Sequence, residues 1–334
     1  LFQPFLGSAR NSVSASAFVE RQSVPNAFIR RAVGLDLAFS RDLGQRLIMT
    51  LGFRPALTDL DAVDLFFCAS YAACLPQDIE IFEGANWLSP LALNFTQDRR
   101  NSILNPSSGW AWLVDLEHAR SYTTSDFEYN RLLGEVTGYR PARGWVLAGR
   151  LAGGMVGRGR FAEIEEGRLR VVHPQKRFYS GGANSVRGFG ENRLGPRVLT
   201  TDLQDLLGYP SPTAAEPVCR PEQVLVGTCD PEPLSDGDFF EQPVGGTVLL
   251  EANAEVRFPL LAGSVQGVGF VDIGQVWLDR SDFGLGSLEV TPGVGVRYLS
   301  PIGPIRLDLA ARPGGAAFLP VATRGLRPFE EGID

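Results

Sequence analysis

Along most of the chain, apolar side chains take turns with small or polar ones. Val33, Leu35, Leu37 and Phe39 alternate with Gly34, Asp36, Ala38 and Ser40. Leu47, Met49, Leu51 and Phe53 repeat the pattern, and Trp110, Trp112, Val114 and Leu116 oppose Ala111, Asp115 and Glu117. Val248, Leu250, Ala252, Ala254, Val256 and Phe258 oppose Glu251, Asn253, Glu255 and Arg257. Val294, Val296 and Tyr298, then Ile305, Leu307 and Leu309, do the same near the end. Successive side chains of an extended chain point to opposite sides, so period two means one apolar and one polar face. No stretch of comparable length carries a helical period. The alternation predicts strands over 12–20, 29–40, 46–54, 89–97, 109–118, 127–136, 145–153, 247–258, 266–277, 290–299 and 303–311, about eleven or twelve in all.

A soluble sandwich alternates too, but its polar face meets bulk water and is usually rich in Lys, Glu and Thr. Here that face is Gly, Ala, Ser, Asp and Arg, with glutamates gathered on one strand. Aromatic residues sit near strand ends: Phe39, Phe53, Trp87, Trp110, Trp145 and Tyr298. Both features fit an all-β, antiparallel transmembrane β-barrel, with lipid outside and a polar lumen. Gly44, Pro106–Gly109, Pro141–Gly144 and Pro301–Pro304 read as short turns on one side of the membrane. The stretches 55–88 and 154–246 read as long loops on the other, outside the cell. The barrel is expected over 1–311, and 312–334 as a Gly/Pro-rich loop before an absent last strand. A start at Leu1, no signal peptide and no closing aromatic strand lead us to expect truncation at both ends.

Composition narrows the function. The 334 residues carry a net charge of −7, which does not suggest a nucleic-acid partner. No uncharged run approaches the roughly 20 residues of a transmembrane helix, a test that barrel strands escape. The four cysteines form two close pairs without CxxC spacing, and Cys68–Cys74 and Cys219–Cys229 are expected as disulfides in an oxidising compartment. His118 lies beside Glu117, and His173 just before a glycine-rich stretch; neither sits in a GxSxG or HExxH pattern. Gly157-Arg158-Gly159-Arg160 lacks the GK[ST] ending of a phosphate loop. No enzyme, cofactor or metal is expected.

One stretch breaks the alternation: Lys176-Arg177-Phe178-Tyr179-Ser180-Gly181-Gly182-Ala183-Asn184-Ser185-Val186-Arg187-Gly188-Phe189-Gly190. Its 177–189 part resembles the signature loop of the outer-membrane assembly-factor superfamily, the BamA and TamA type. Gly269-Phe270-Val271-Asp272-Ile273-Gly274-Gln275-Val276-Trp277 is similar to that family's F-x-D-x-G strand. Gly293–Tyr298 with Pro301–Leu309 resembles its penultimate hairpin. Asp98-Arg99-Arg100-Asn101-Ser102-Ile103-Leu104-Asn105-Pro106-Ser107-Ser108-Gly109-Trp110 resembles its D-x-R-x-x-x-L-x-P-x-x-G-[WY] turn. The likeness spans 98–310; residues 1–97 share only the strand pattern.

The resemblance implies part of a sixteen-stranded barrel that inserts or exports other β-barrel proteins of the bacterial outer membrane. Its partners would be unfolded outer-membrane clients and the bilayer, with accessory lipoproteins or periplasmic chaperones. It also implies that the loop, 174–190, folds into the lumen, where Arg187 meets Asp272 and locks it. A carboxylate in the apolar run Phe270-Val271-Asp272-Ile273 needs such a partner, because an unpaired buried charge is costly. Glu251, Glu255 and Arg257 are placed to extend the pair into a network; Tyr179 and Phe189, flanking the tip, either pack on Phe270 or are ordinary loop aromatics. The rival readings are a two-partner secretion pore with one dedicated client and a passive porin.

Overall fold

The computed structural model describes residues 1–24, 28–61, 84–157, 172–201, 239–261, 264–301 and 303–313, together with positions 219, 220, 223, 319, 320, 332 and 333. Its main sheet is antiparallel and fourteen-stranded. The first strands are β1 (Phe2–Pro4), β2 (Asn11–Val24), β3 (Phe28–Gly44), β4 (Leu47–Phe53), β5 (Ala56–Asp61), β6 (Asn86–Leu88), β7 (Leu91–Asp98), β8 (Gly109–Ala119), β9 (Tyr129–Ala142) and β10 (Trp145–Gly157). Two strands, β11 (Arg197–Thr201) and β12 (Phe239–Pro243), pair apart from the main sheet. Four more, β13 (Val248–Leu261), β14 (Val265–Trp277), β15 (Glu289–Ser300) and β16 (Gly303–Ala310), complete it.

The spatial order is β1-β2-β3-β4-β7-β8-β9-β10-β13-β14-β15-β16. Among the described residues β1 and β16 are its edges and do not pair with each other, so the sheet is open. Each strand expected from the alternation is present. Several run further than the pattern showed: β9 continues to Ala142, because Gly134 and Gly138, in the same alternation as Leu132 and Val136, give no apolar signal. The 55–88 stretch, expected as a loop, opens and closes with the short strands β5 and β6. Strand β5 takes over from β4 in pairing the first half of β3, from Ile29 to Gly34. Within 154–246, likewise read as loop, β11 and β12 form a hairpin-like ladder. In the tail, Leu319–Pro320 pairs with Gly332–Ile333.

Burial separates the two faces. Leu37, Leu51, Leu116, Leu132, Leu151, Val271, Val294, Val296, Leu307 and Leu309 are all exposed, the last two at 71%. A water-soluble protein rarely leaves so extended an apolar surface uncovered, whereas lipid covers it at no cost. Trp110, Trp145, Phe258 and Tyr298 gather where the sheet's short turns lie, and the Trp145 and Phe258 rings stand 5.8 Å apart. Aromatic belts of this kind mark a membrane–water boundary. Among the described residues no helix is long and apolar enough to cross a membrane.

The opposite, inner face carries the polar side chains, and the segment 172–196 packs against it. A buried apolar cluster joins Phe28 of β3, Tyr129 of β9, Leu249 of β13 and Val276 of β14 to Val172 and Phe178 of that segment. This cluster lies at the end from which the long connections leave.

Candidate functional site

The loop enters through a buried turn. His173 is 2% exposed and its ring meets the Phe127 ring edge-on at 4.8 Å. Burial, aided by the nearby Lys176, Arg30 and Arg177 cations, lowers its pKa to about 3, so it is neutral. The 3₁₀ turn Pro174–Lys176 follows. Lys176 reaches the β8 wall, its Nζ 2.7 Å from Glu117, and the Tyr129 hydroxyl donates to the same carboxylate at 2.8 Å. The guanidinium of Arg131 lies over the Phe178 ring at 4.7 Å. Arg177 donates to the Val172 and Val244 carbonyls, and Phe178 exchanges backbone hydrogen bonds with Gly246. The loop is thus tied to β8 and β9 before its tip begins.

The tip crosses to the other wall. Ser180 and Ser185 both donate to Glu251 of β13, which also holds Arg150 of β10 at 2.6 Å. Asn253 donates to the Ser185 carbonyl at 2.8 Å. Val186 is fully buried. It sits so close to Gly274 of β14 that a Cβ there would lie 2.7 Å from its methyl, so the wall needs a glycine at that point.

Arg187 is the centre of the site. Its Nε and Nη2 donate to the two oxygens of Asp272 at 2.7 and 2.9 Å, and its backbone amide adds a bond of 3.1 Å. Asp272 is fully buried. The remaining nitrogen, Nη1, reaches Glu255 of β13 at 3.2 Å and Asp308 of β16 at 3.0 Å. The guanidinium plane lies 3.4 Å from the centre of the Phe270 ring. One planar cation therefore binds three strands and one ring, which an ammonium could not do. Glu255 is shared further with Arg257 at 2.7 Å and Arg297 at 2.6 Å. Arg306 donates to the Ala183 carbonyl and to Asn184. Gly188 turns at φ +99°, where its missing side chain leaves room for Thr291 and Ala310.

A family model, that of the Omp85 superfamily domain, matches residues 1–316. The chain belongs to the Omp85 superfamily. One curated relative is the outer membrane protein assembly factor BamA of Nitratidesulfovibrio vulgaris, 26% identical over 212 residues, 58% of this chain and 25% of the relative. Among solved structures, the crystal structure of BamA from Haemophilus ducreyi lacking POTRA domains 1–3 superposes with a TM-score of 0.66. The identity there is 17%, over 95% of this chain and 58% of that one, which is a likeness of fold. The Omp85 chain thus spans only part of the length of both. Family, strand topology and lipid-facing leucines together place it in the bacterial outer membrane.

The Omp85 loop and its anchors lie where the residues named from sequence come together: Arg187 with Asp272, Glu255 beside them, Glu251 under the two serines, and Arg257 on Glu255. Gly181, Gly182 and Gly188 all have positive φ, and Ala183 and Asn184 meet Arg306. Of the two expectations for the aromatics, packing on Phe270 is not the one realised. Phe270 stacks under Arg187, while Tyr179 faces Phe28 at 6.3 Å and Phe189 faces Arg312 and packs with Val186 and Leu194. The cation outcompetes a ring for the face of Phe270 because both the carboxylates and the π-system attract it. Cys219 is buried and disulfide-bonded, while Cys229, Cys68 and Cys74 fall outside the described residues. His118 is tied to Asn130 and Tyr122.

Sequence reasoning missed Asp308, Arg297, Arg306 and the Lys176–Glu117 pair. Three of them were readable: between Val296 and Tyr298 the alternation sets Arg297 on the inner face, and in Ile305-Arg306-Leu307-Asp308-Leu309 it sets Arg306 and Asp308 there. No local signal could have matched Lys176 with Glu117.

Proposed function

We propose that this chain is the membrane-embedded part of an assembly factor that folds and inserts other outer-membrane proteins, or passes them across, without covalent chemistry. The supporting observation is the buried Arg187 clamp, held by Asp272, Glu255 and Asp308 inside a sheet whose outer face is apolar. A passive pore has no need of a charged finger gripping three strands of one wall.

The physical logic of insertion lies in strand edges. Backbone amides and carbonyls at an edge find no partner in lipid, so an edge there is costly until another strand covers it. A barrel that can loosen its sheet offers that edge as a template to an incoming strand. Local thinning of the bilayer beside a short apolar belt lowers the barrier further. The loop holds the β13–β16 wall in register while the edge is offered. Unfolded outer-membrane proteins are the clients, and lipoproteins or periplasmic chaperones deliver them. The curated relative's name, outer membrane protein assembly factor, supports this reading.

The test is replacement of the chromosomal gene by an Arg187→Ala allele, with the outer-membrane proteome and the heat-modified mobility of the protein read together. Broad loss of barrel proteins with earlier heat unfolding is expected. A full complement of barrel proteins with unchanged heat stability overturns the reading. Loss of a single secreted protein, with all barrels intact, assigns a dedicated exporter instead.

A further inference from the structure

The turn between β7 and β8 reaches across the mouth opposite the long connections. It is closed on itself. Arg99 and Asn101 pair by backbone with Trp110 and Ser108, and the Asn101 side chain accepts from the Ser107 and Ser108 amides. Gly109 turns at φ +96°, and a Cβ there would stand 2.2 Å from the Arg99 carbonyl, so only glycine lets the turn close. Pro106, near its tip, offers its carbonyl to Nη1 of Arg257 at 3.1 Å. Arg257 belongs to β13, which is separated from β8 in the sheet by β9 and β10. The turn therefore passes beneath two strands to make this bond.

The other end of the same guanidinium holds Glu255 through Nε at 2.7 Å, and Glu255 in turn accepts from Arg187 and Arg297. The Arg257 guanidinium also lies 5.4 Å from the Tyr139 ring, which fixes its plane. Arg257 is 7% exposed and Glu255 9%, so neither end of the relay is loosened by water. A continuous path of hydrogen bonds runs from the Pro106 carbonyl through Arg257 and Glu255 to Arg187.

We propose that Arg257 is a positioning residue that couples the 98–110 turn to the Arg187 clamp, so that displacing the turn at one mouth loosens the loop tip inside. The inference deepens the proposed function, since it makes the turn the place where an arriving client or a neighbouring domain is felt. Coupling of this kind requires that both ends bias the same element, here Glu255. A lysine at 257 keeps the charge but cannot hold a carboxylate and a carbonyl in one plane.

Two thiol probes in the full-length protein, assayed in its own outer membrane, test the coupling. Val186→Cys, fully buried while the tip is docked, reports its release, and Pro106→Cys, buried while the turn is closed, reports movement of the turn and keeps the backbone carbonyl, each as maleimide labelling above the parent protein. Gly109→Ala displaces the turn without touching the clamp. With Arg257 present, it raises Val186→Cys labelling about five-fold or more. With Arg257→Lys, the tip is already loose and Gly109→Ala adds nothing. The inference fails if the Pro106→Cys probe shows the turn displaced while the tip rate stays unchanged, or if the two substitutions simply add. Should Gly109→Ala prevent folding, Asn101→Ala frees the Ser107 and Ser108 amides and is read by the same probes. The assembly reading can fail separately: a coupled tip with normal barrel biogenesis in Arg187→Ala cells sinks that reading and leaves the coupling standing.

Discussion

Two walls of the sheet share one alternation and differ in what they turn inward. The β13–β16 wall presents Glu251, Glu255, Arg257, Asp272, Arg297, Arg306 and Asp308, most of them bound to the loop or to each other. The wall formed by β2, β3, β4 and β7 presents Ser12, Ser14, Ser16, Ala38, Ser40, Thr50, Ala92, Asn94 and Thr96 in the corresponding register. One wall is written in charges whose partners are fixed in direction and distance. The other is written in small side chains toward the short turns, where they leave space, and its charges, Glu20, Arg30, Asp36 and Arg54, sit toward the long connections and bind each other. Strand formation needs only the alternation, so both walls fold alike. Specific grip on the loop tip needs charges aimed at it, and those belong to the β13–β16 wall, while β3, β8 and β9 hold the loop's entry.

The largest test of that contrast removes the centre of the grip. Arg187→Ala leaves Asp272 buried without its partner, and truncating one side of a buried pair costs on the order of 3–5 kcal/mol. The heat-modified mobility of the folded barrel is expected to shift to lower temperature, with Asp272→Ala shifting it less because Arg187 then keeps Glu255 and Asp308. Combining the two should cost less than their sum, since the double variant removes the carboxylate that Arg187→Ala leaves buried without its main partner. Additive losses would mean that the pair is not the anchor.

The contrast also explains what could be read before the fold was known. Alternation is a property of single strands, so β8 or β13 is visible in a dozen residues. The Arg187–Asp272 pair was legible because the loop and the F-x-D-x-G strand each resemble a family pattern, and because a carboxylate between Phe270-Val271 and Ile273 asks for a cation. Short strands such as β5 and β6 were invisible: six and three residues hold too few alternations to rise above a loop. The Lys176–Glu117 bond depends on how a loop crosses between walls, and nothing local in either segment encodes that.

The loop's entry turn gives the next test. Lys176→Met removes the cation from Glu117, which keeps the Tyr129 hydroxyl and some solvent. The expected loss is therefore smaller than for Arg187→Ala, about 2–3 kcal/mol. Protease cleavage within the loop should rise while Arg187 still holds the tip. Equal damage from both substitutions would erase the distinction between entry and tip.

A pH titration probes the same turn. Buried His173 stays neutral down to about 3, whereas in the unfolded chain it protonates near 6.5. A depressed folded pKa means that its contribution is whole above 6.5 and is lost progressively as pH falls toward 3. At pH 5 the loss is on the order of 2 kcal/mol. His173→Phe should flatten that limb of the stability curve, and an unchanged acid limb would show that other groups set it.

The smallest effects are expected on the wall of small residues. Ser14→Ala and Ser16→Ala change one hydroxyl each at positions where the inner face is not closed over; Ser16 is exposed and Ser14 half-buried. Substitutions away from buried networks usually stay within about 0.5 kcal/mol. Heat-modified mobility and barrel biogenesis should both match the parent. A loss approaching that of Lys176→Met would show that this wall, too, grips something, and that the division of labour drawn from the charges is false. The same hydroxyls replaced by arginine sharpen the point: if space is what this wall supplies, Ser14→Arg lowers the rate of client assembly while leaving the Arg187 clamp and its heat stability as they were.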